Sequence, residues 1–286
     1  MSNGLILYSG EMGGKSTFIS GLYSHLISRD DIDVSYRTRV SRSFENEVTS
    51  ALFTRREFPH QTTEPYIIDL KLERESQFQP STEIRVLDVP GQIVGSSRHE
   101  RPWEQRQQRD VIKQQYDELD VSETSRGKVL SPDDWNTVLT HEYHQSDNLI
   151  FLLNLYKLLM TDLADPSYDA DDVRQAAKEK NVAVVATGTD VLNHKPDEDV
   201  VSSKGILDYI RRSGSPVDAE LLDEVTDVPT ASQVTRILQT VTMADDISFF
   251  GVAVPSREPG EDERPTITEG GDIETWGFEN VVEWMD

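Results

Sequence analysis

The sequence predicts an α/β fold, a doubly wound and mostly parallel sheet, and three observations carry that prediction. An apolar run, Gly4 to Tyr8, leads through a glycine-rich turn into a stretch with Phe18, Leu22 and Leu26 at helical spacing. Two continuous apolar runs of strand length, Asn148 to Leu153 and Asn181 to Thr187, flank a helical stretch at about Asp171 to Lys180, the pattern of parallel strands covered on both faces. Two alternating segments, Tyr66 to Leu72 and Glu83 to Val89, read as an antiparallel hairpin and add one antiparallel edge strand.

Taken in order, Gly4 to Tyr8 is a buried strand, and the helix after it runs from roughly Lys15 to Ser28. Phe44, Val48 and Leu52 repeat the helical spacing and predict a second short helix. The hairpin strands are joined by the turn-rich stretch SQFQPST. From about 96 to 145 the pattern is helical and highly charged, an inserted helical pair. Ile112, Tyr116 and Leu119 share one face there. Ser131 is a helix N-cap with Pro132 at the first helical position, and Trp135, Val138, Leu139 and Tyr143 line one side of that helix. Ile247 to Val254 is a further buried strand, and Phe278 to Met285 a closing helix that packs Val281, Val282 and Trp284. Residues 1–286 thus read as a single domain with a helical insertion at about 96–145. A polar, Pro/Gly-rich loop at about 256–271 is expected to be flexible.

Charge narrows the partners. The chain carries 52 Asp and Glu against 28 Lys and Arg, a net charge of −24. Such a surface repels nucleic acid and anionic membranes, so neither is an expected partner. A phosphate site in this chain has to be local, built from backbone N–H groups and one or two cations. Nine of the basic residues are Lys and there is no Cys, which removes disulfides and thiolate metal sites. High acid and low Lys resemble the proteins of salt-accumulating halophiles, or describe an acidic mesophilic protein. The N-terminal segment has no charged n-region, and the longest apolar stretch, Leu149 to Met160, is interrupted by Asn154 and Lys157. A cytoplasmic protein without a membrane span is expected.

The turn after the first strand reads Ser9-Gly10-Glu11-Met12-Gly13-Gly14-Lys15-Ser16-Thr17. It fits the phosphate-binding loop G-x-x-x-x-G-K-[ST], with Ser9 in place of the first glycine. Glycines let successive N–H groups point at a β-phosphate, and the helix N-terminus adds the positive end of its dipole. Lys15 would reach the β- and γ-phosphate oxygens, and the Ser16 hydroxyl would ligate Mg²⁺. A second motif, Asp88-Val89-Pro90-Gly91-Gln92, ends a strand. Asp88 would hold Mg²⁺, the Gly91 N–H would meet the γ-phosphate, and Gln92 would orient the attacking water.

These residues together resemble a Ras-like P-loop GTPase of the translation-factor-related class. The resemblance implies a G domain that binds Mg²⁺ with GTP or GDP and cleaves the β–γ phosphoanhydride. It also implies a switch threonine, for which Thr62 and Thr63 are the candidates, Thr63 being preferred. The guanine-reading motif of that class, [NT]-K-x-D, matches Thr187-Gly188-Thr189-Asp190, where the Asp190 carboxylate would accept from the guanine edge. The backbone N–H facing the base oxygen falls on Val254-Pro255-Ser256, and Ser256 is the candidate because proline has no N–H. A narrower likeness, in FPHQTTEPYIIDLKL, STFISGLY and GFENVVEWM, is similar to the prokaryotic "double-GTPase" subgroup and implies a protein effector or a second GTPase as partner.

Several residues depart from that pattern. Glu11 puts a carboxylate where such switches carry a small residue near the γ-phosphate, which predicts slow hydrolysis. Gly188 lacks the lysine stem that covers the base. Arg98, Arg101, Arg106 and Arg109 lie next to the second switch and could supply a charge in cis or form a solvated face. His141 and His144 share a helix face without a third metal ligand and read as surface or core histidines. The sequence leaves three functions open: a GTPase switch of low intrinsic rate, a nucleotide-binding interaction module with little or no turnover, and an ATPase on a related fold.

Overall fold

Seven apolar segments join in one sheet of order β2-β3-β4-β1-β5-β6-β7. The computed structural model describes residues 3–9, 14–29, 32–36, 43, 46–47, 50–55, 57, 66–74, 82–88, 101–119, 131–155, 168–189, 229–255, 265–269 and 273–285. The strands are β1 (Asn3–Tyr8), β2 (Ile32–Tyr36), β3 (Tyr66–Arg74), β4 (Thr82–Asp88), β5 (Asn148–Asn154), β6 (Asn181–Thr187) and β7 (Ile247–Val252). The helices are α1 (Lys15–Ile27), α2 (Arg109–Leu119), α3 (Pro132–Gln145), α4 (Ala170–Ala177), α5 (Pro229–Met243) and α6 (Phe278–Met285).

Pairing is parallel from β4 through β1, β5 and β6 to β7. β3 runs antiparallel to both of its neighbours. The sheet is therefore mostly parallel with one reversed strand, the doubly wound arrangement that the sequence predicts. One detail differs from the sequence expectation. The reversed strand is not at the edge, because β2 pairs outside it, with Ile32 opposite Arg74 and Tyr36 opposite Leu70.

The alternation of side chains across each strand divides the core in two. Leu5, Leu7, Ile150, Leu152, Ala183 and Val185 face α1 and α6. Ile6, Tyr8, Phe151, Leu153, Val184 and Ala186 face the other way, onto α3, α4 and α5. A sheet apolar on both faces needs helices on both, and here the 96–145 region supplies part of the second layer. Its Trp103, Trp135, Val138, Leu139 and Tyr143 are all buried in that core.

In the helix expected around Phe44 to Leu52, the described residues Ser43, Asn46 and Glu47 are α-helical and a π-helical turn, Ser50–Arg55, follows, while Phe44 and Val48 lie outside the described residues. β2 and α5 are additions that the sequence pattern does not announce. Residues 256–264 and 270–271 of the loop expected at 256–271 lie outside the described residues. Among the described residues, no helix is long and apolar enough to cross a membrane.

Candidate functional site

β1 lies at the sheet's switch point. Strands on one side of it (β4, β3, β2) come earlier in the chain than those on the other (β5, β6, β7). Connections leave such a point in opposite directions, and doubly wound proteins bind ligands there, beyond the carboxyl ends of the strands. β1 ends at Tyr8 and α1 begins at Lys15, at that end of the sheet.

Gly14 is the N-cap of α1, with φ 82° and ψ 14°. This is the left-handed region, which glycine enters without the penalty a Cβ imposes. A Cβ there would stand 2.9 Å from Thr187 Oγ1 and 3.5 Å from Asn154 Nδ2. Gly14 therefore lies against the ends of β5 and β6, where Asn154 and Thr187 are register partners. α1 opens with no side-chain cap and no acid in its first turn. By contrast, α3 opens on a capping box of Ser131 and Asp134, and α4 on one of Asp169 and Asp172. Gly14 has no side chain with which to cap α1, and a helix N-terminus of this kind suits an anion held by backbone donors.

Lys15 is buried, at 6% exposure. Its ammonium donates to Ser9 O at 3.2 Å and to Ser9 Oγ at 2.9 Å, so it folds back across the turn. Ser9 is fully buried. The serine that replaces the usual first glycine thereby acquires a role, since its hydroxyl helps hold the lysine. In the sequence it is only a departure from the motif, and nothing local signals that contact. Ser16 and Thr17 lie in the first turn of α1, and the Ser16 carbonyl accepts from Ser20 Oγ at 2.6 Å.

At the end of β6, Gly188 has φ 71°, a conformation in which a lysine at this position would be strained. Thr187 is buried, with its hydroxyl 3.4 Å from the Leu153 carbonyl. Thr189 is fully buried and its hydroxyl has no hydrogen-bond partner among the described residues. A buried orphan hydroxyl costs about 1–3 kcal/mol, and a ligand could offset this.

Asp88 closes β4 opposite Tyr66. Its side chain, and Gly10, Glu11, Met12, Gly13, Thr62, Thr63, Gly91, Gln92, Asp190 and Ser256, lie outside the described residues. The described residues that the fold brings together here are therefore Ser9, Gly14, Lys15, Asn154 and Thr187.

The arginines separate. Arg109 is exposed and Arg98 is outside the described residues. Arg101 is half-buried and donates to the Tyr8 hydroxyl at 2.6 Å. The HEYH segment is structural. His141 stacks on Tyr116, with ring centroids 3.8 Å apart, and the buried Glu142 accepts from the Tyr116 hydroxyl at 3.1 Å. Burial, with Arg109 and Lys180 nearby, pushes His144 down to about 4. No group of three His, Asp or Glu among the described residues could hold a metal.

No protein-family model and no curated protein sequence matches the chain. Among solved structures it is similar to the signal recognition particle receptor SRb-GTP/SRX complex from Chaetomium thermophilum. That match has 11% identity and a TM-score of 0.36, covering 92% of this chain and 95% of that one. The likeness is too distant to carry an argument, and the fold rests on the strand order and the two-sided core.

Proposed function

We propose that the chain is a GTP-binding molecular switch that hydrolyses GTP slowly with Mg²⁺. The observation that supports this best is the left-handed Gly14 at the start of α1, with the buried Lys15 donating to Ser9, at the switch point of the sheet. A left-handed glycine followed by a buried lysine at a helix start is compatible with a nucleotide's phosphates. In this reading backbone N–H groups of 10–17 and Lys15 bind the β- and γ-phosphates, and Ser16, Thr63 and Asp88 hold Mg²⁺. The Mg²⁺ ion would neutralise charge that develops on the transferring phosphoryl group. Gly91 would donate to the γ-phosphate and Gln92 would orient the water. Thr187, Asp190 and Ser256 would face the base, and the orphan Thr189 hydroxyl is available beside them. The partner in this reading is a protein effector or a second GTPase.

A second reading, a nucleotide-binding module with little turnover, is favoured by Glu11, whose carboxylate would oppose an approaching γ-phosphate. Nucleotide binding and single-turnover hydrolysis should be measured with GTP and ATP in high KCl, for wild type, Lys15→Ala, Gln92→Ala and Asp190→Ala. The switch reading expects lost binding for Lys15→Ala, at least about tenfold slower cleavage for Gln92→Ala, and a lost GTP preference for Asp190→Ala. An unchanged GTP/ATP preference in Asp190→Ala overturns the guanine assignment. Turnover indifferent to Gln92 favours the second reading.

A further inference from the structure

Tyr8 is the last residue of β1 and the covalent neighbour of Ser9. Its ring is 2% exposed. Trp103, Phe151 and Tyr168 surround it edge-on, with centroids at 5.1, 5.7 and 6.4 Å. Such packing fixes the ring position but leaves the phenol oxygen to be satisfied. The donor is Arg101 Nη1 at 2.6 Å, and the same guanidinium lies 5.9 Å from the ring centroid.

Arg101 is itself held from two further sides. Its backbone N–H donates to Glu104 Oε2 at 3.1 Å, at the start of the turn Pro102–Glu104. Its guanidinium is 3.9 Å from Asp172 of α4, and Asp172 accepts from Trp103 Nε1 at 3.2 Å. One side chain thus joins the end of β1, the inserted helical region and α4. Burial accounts for most of the rise of the Tyr8 phenol to about 12, so the oxygen is a neutral acceptor at ordinary pH.

We propose that Arg101 is a positioning residue for the phosphate loop: through the Tyr8 hydroxyl it fixes the end of β1, and hence the two Ser9 oxygens that hold the Lys15 ammonium. The inference rests on reading residues 9–17 as a nucleotide's phosphate site. It gives the inserted region a role beyond covering the sheet, because any partner that moves the Arg101 segment would also loosen the loop. The coupling is reciprocal, so nucleotide in the loop would favour the docked Arg101.

The test uses the full chain as Tyr8→Phe, Arg101→Ala, Arg101→Lys and the Tyr8→Phe/Arg101→Ala double. Hydrogen exchange of amides 9–17 is read without nucleotide, with α6 as internal reference, and release of a fluorescent GTP analogue is read in parallel. Tyr8→Phe and Arg101→Ala should each speed exchange at 9–17 and raise the release rate about tenfold, the scale of one hydrogen bond to a charged group. The double should do no more than either single, and Arg101→Lys, which keeps a donor, should recover most of the effect. Unchanged exchange at 9–17 in both single variants overturns the proposal. Faster exchange at 9–17 and α6 alike also overturns it, because that marks a general loss of stability. The exchange arm decides the matter even if wild type binds no nucleotide, an outcome that would sink the phosphate-site reading separately.

Discussion

Gly14→Ala probes the geometry on which the site depends. At φ 82° an alanine Cβ approaches its own carbonyl, a penalty of about 1–2 kcal/mol. The same Cβ would stand 2.9 Å from Thr187 Oγ1, tighter than an ordinary carbon–oxygen contact. Either the hydroxyl swings away from the Leu153 carbonyl or the turn shifts, adding up to about 1 kcal/mol. Reduced freedom of the unfolded chain returns about 0.4–1 kcal/mol. The net loss should be about 1–2 kcal/mol, read from the urea midpoint at constant m-value. Thr187→Ala in the same background removes Oγ1 and leaves the nearest Thr187 atom, its Cβ, at 3.7 Å. It should recover the contact share and leave the backbone share, a coupling of roughly 0.5–1 kcal/mol in the double-mutant cycle. An unchanged midpoint for Gly14→Ala would refute the left-handed turn. Strict additivity with Thr187→Ala would refute the contact. Nucleotide affinity should fall at least about tenfold in Gly14→Ala, since a displaced turn moves the N–H groups relative to Lys15.

Three further outcomes are expected. A Cβ on Gly21 would meet Phe278 Cζ at 2.4 Å and Val254 Cγ2 at 2.8 Å. Gly21→Ala should therefore lose about 1–3 kcal/mol by overpacking, less than additively with Phe278→Leu in urea titrations. Ser131→Ala removes the acceptor for Asp134 N–H at 3.2 Å and should lower stability by about 1 kcal/mol by calorimetry or urea. His144 has a folded value of about 4, below its unfolded 6.5, so the unfolded chain binds more protons between those values. Stability from this site is present above the unfolded value and is lost as pH falls toward 4. For a partly exposed ring the loss from pH 7 to pH 5 should be about 1 kcal/mol, and an identical pH slope in His144→Gln would refute the assignment.

Local pattern made much of this fold legible. The run into a glycine turn and the i, i+4, i+8 residues Phe18, Leu22 and Leu26 mark β1 and α1, and all three side chains are buried. Ser131-Pro132 marks the start of α3 because a cap is a local hydrogen bond. β2 is only five residues long, and it is a strand because β3 pairs with it, so its alternation of Ile32, Val34 and Tyr36 is a weak signal alone. α5 carries Thr230, Thr235, Thr240 and Thr242, β-branched residues that favour helix little. Its helicity follows from burying Ile237, Leu238 and Val241 against the sheet, a tertiary contact. The position of β3 inside the edge fails for the same reason: strand order is a long-range property that a hairpin pattern does not contain.

The candidate site divides along the same line. Glycines, a lysine and a serine at fixed spacing are local and in sequence resemble a phosphate loop, but their departures acquire meaning only in three dimensions. Ser9 reads as a lost glycine until its hydroxyl is found on Lys15, and Gly188 reads as a lost lysine until its φ of 71° shows that a lysine would be strained. Arg101 is the furthest case, since its acceptor Tyr8 is 93 positions away. In sequence it is one arginine among four in a charged stretch, and its chemistry suggests a cation offered to phosphate. Burial instead spends that cation on a phenol oxygen at the root of the loop. A residue suited by type to stabilise the reacting phosphate is thus committed to holding the strand that carries the loop. If the chain hydrolyses GTP, Arg101 therefore cannot serve as a finger without first releasing Tyr8, and any cationic assistance has to come from another residue or from a partner.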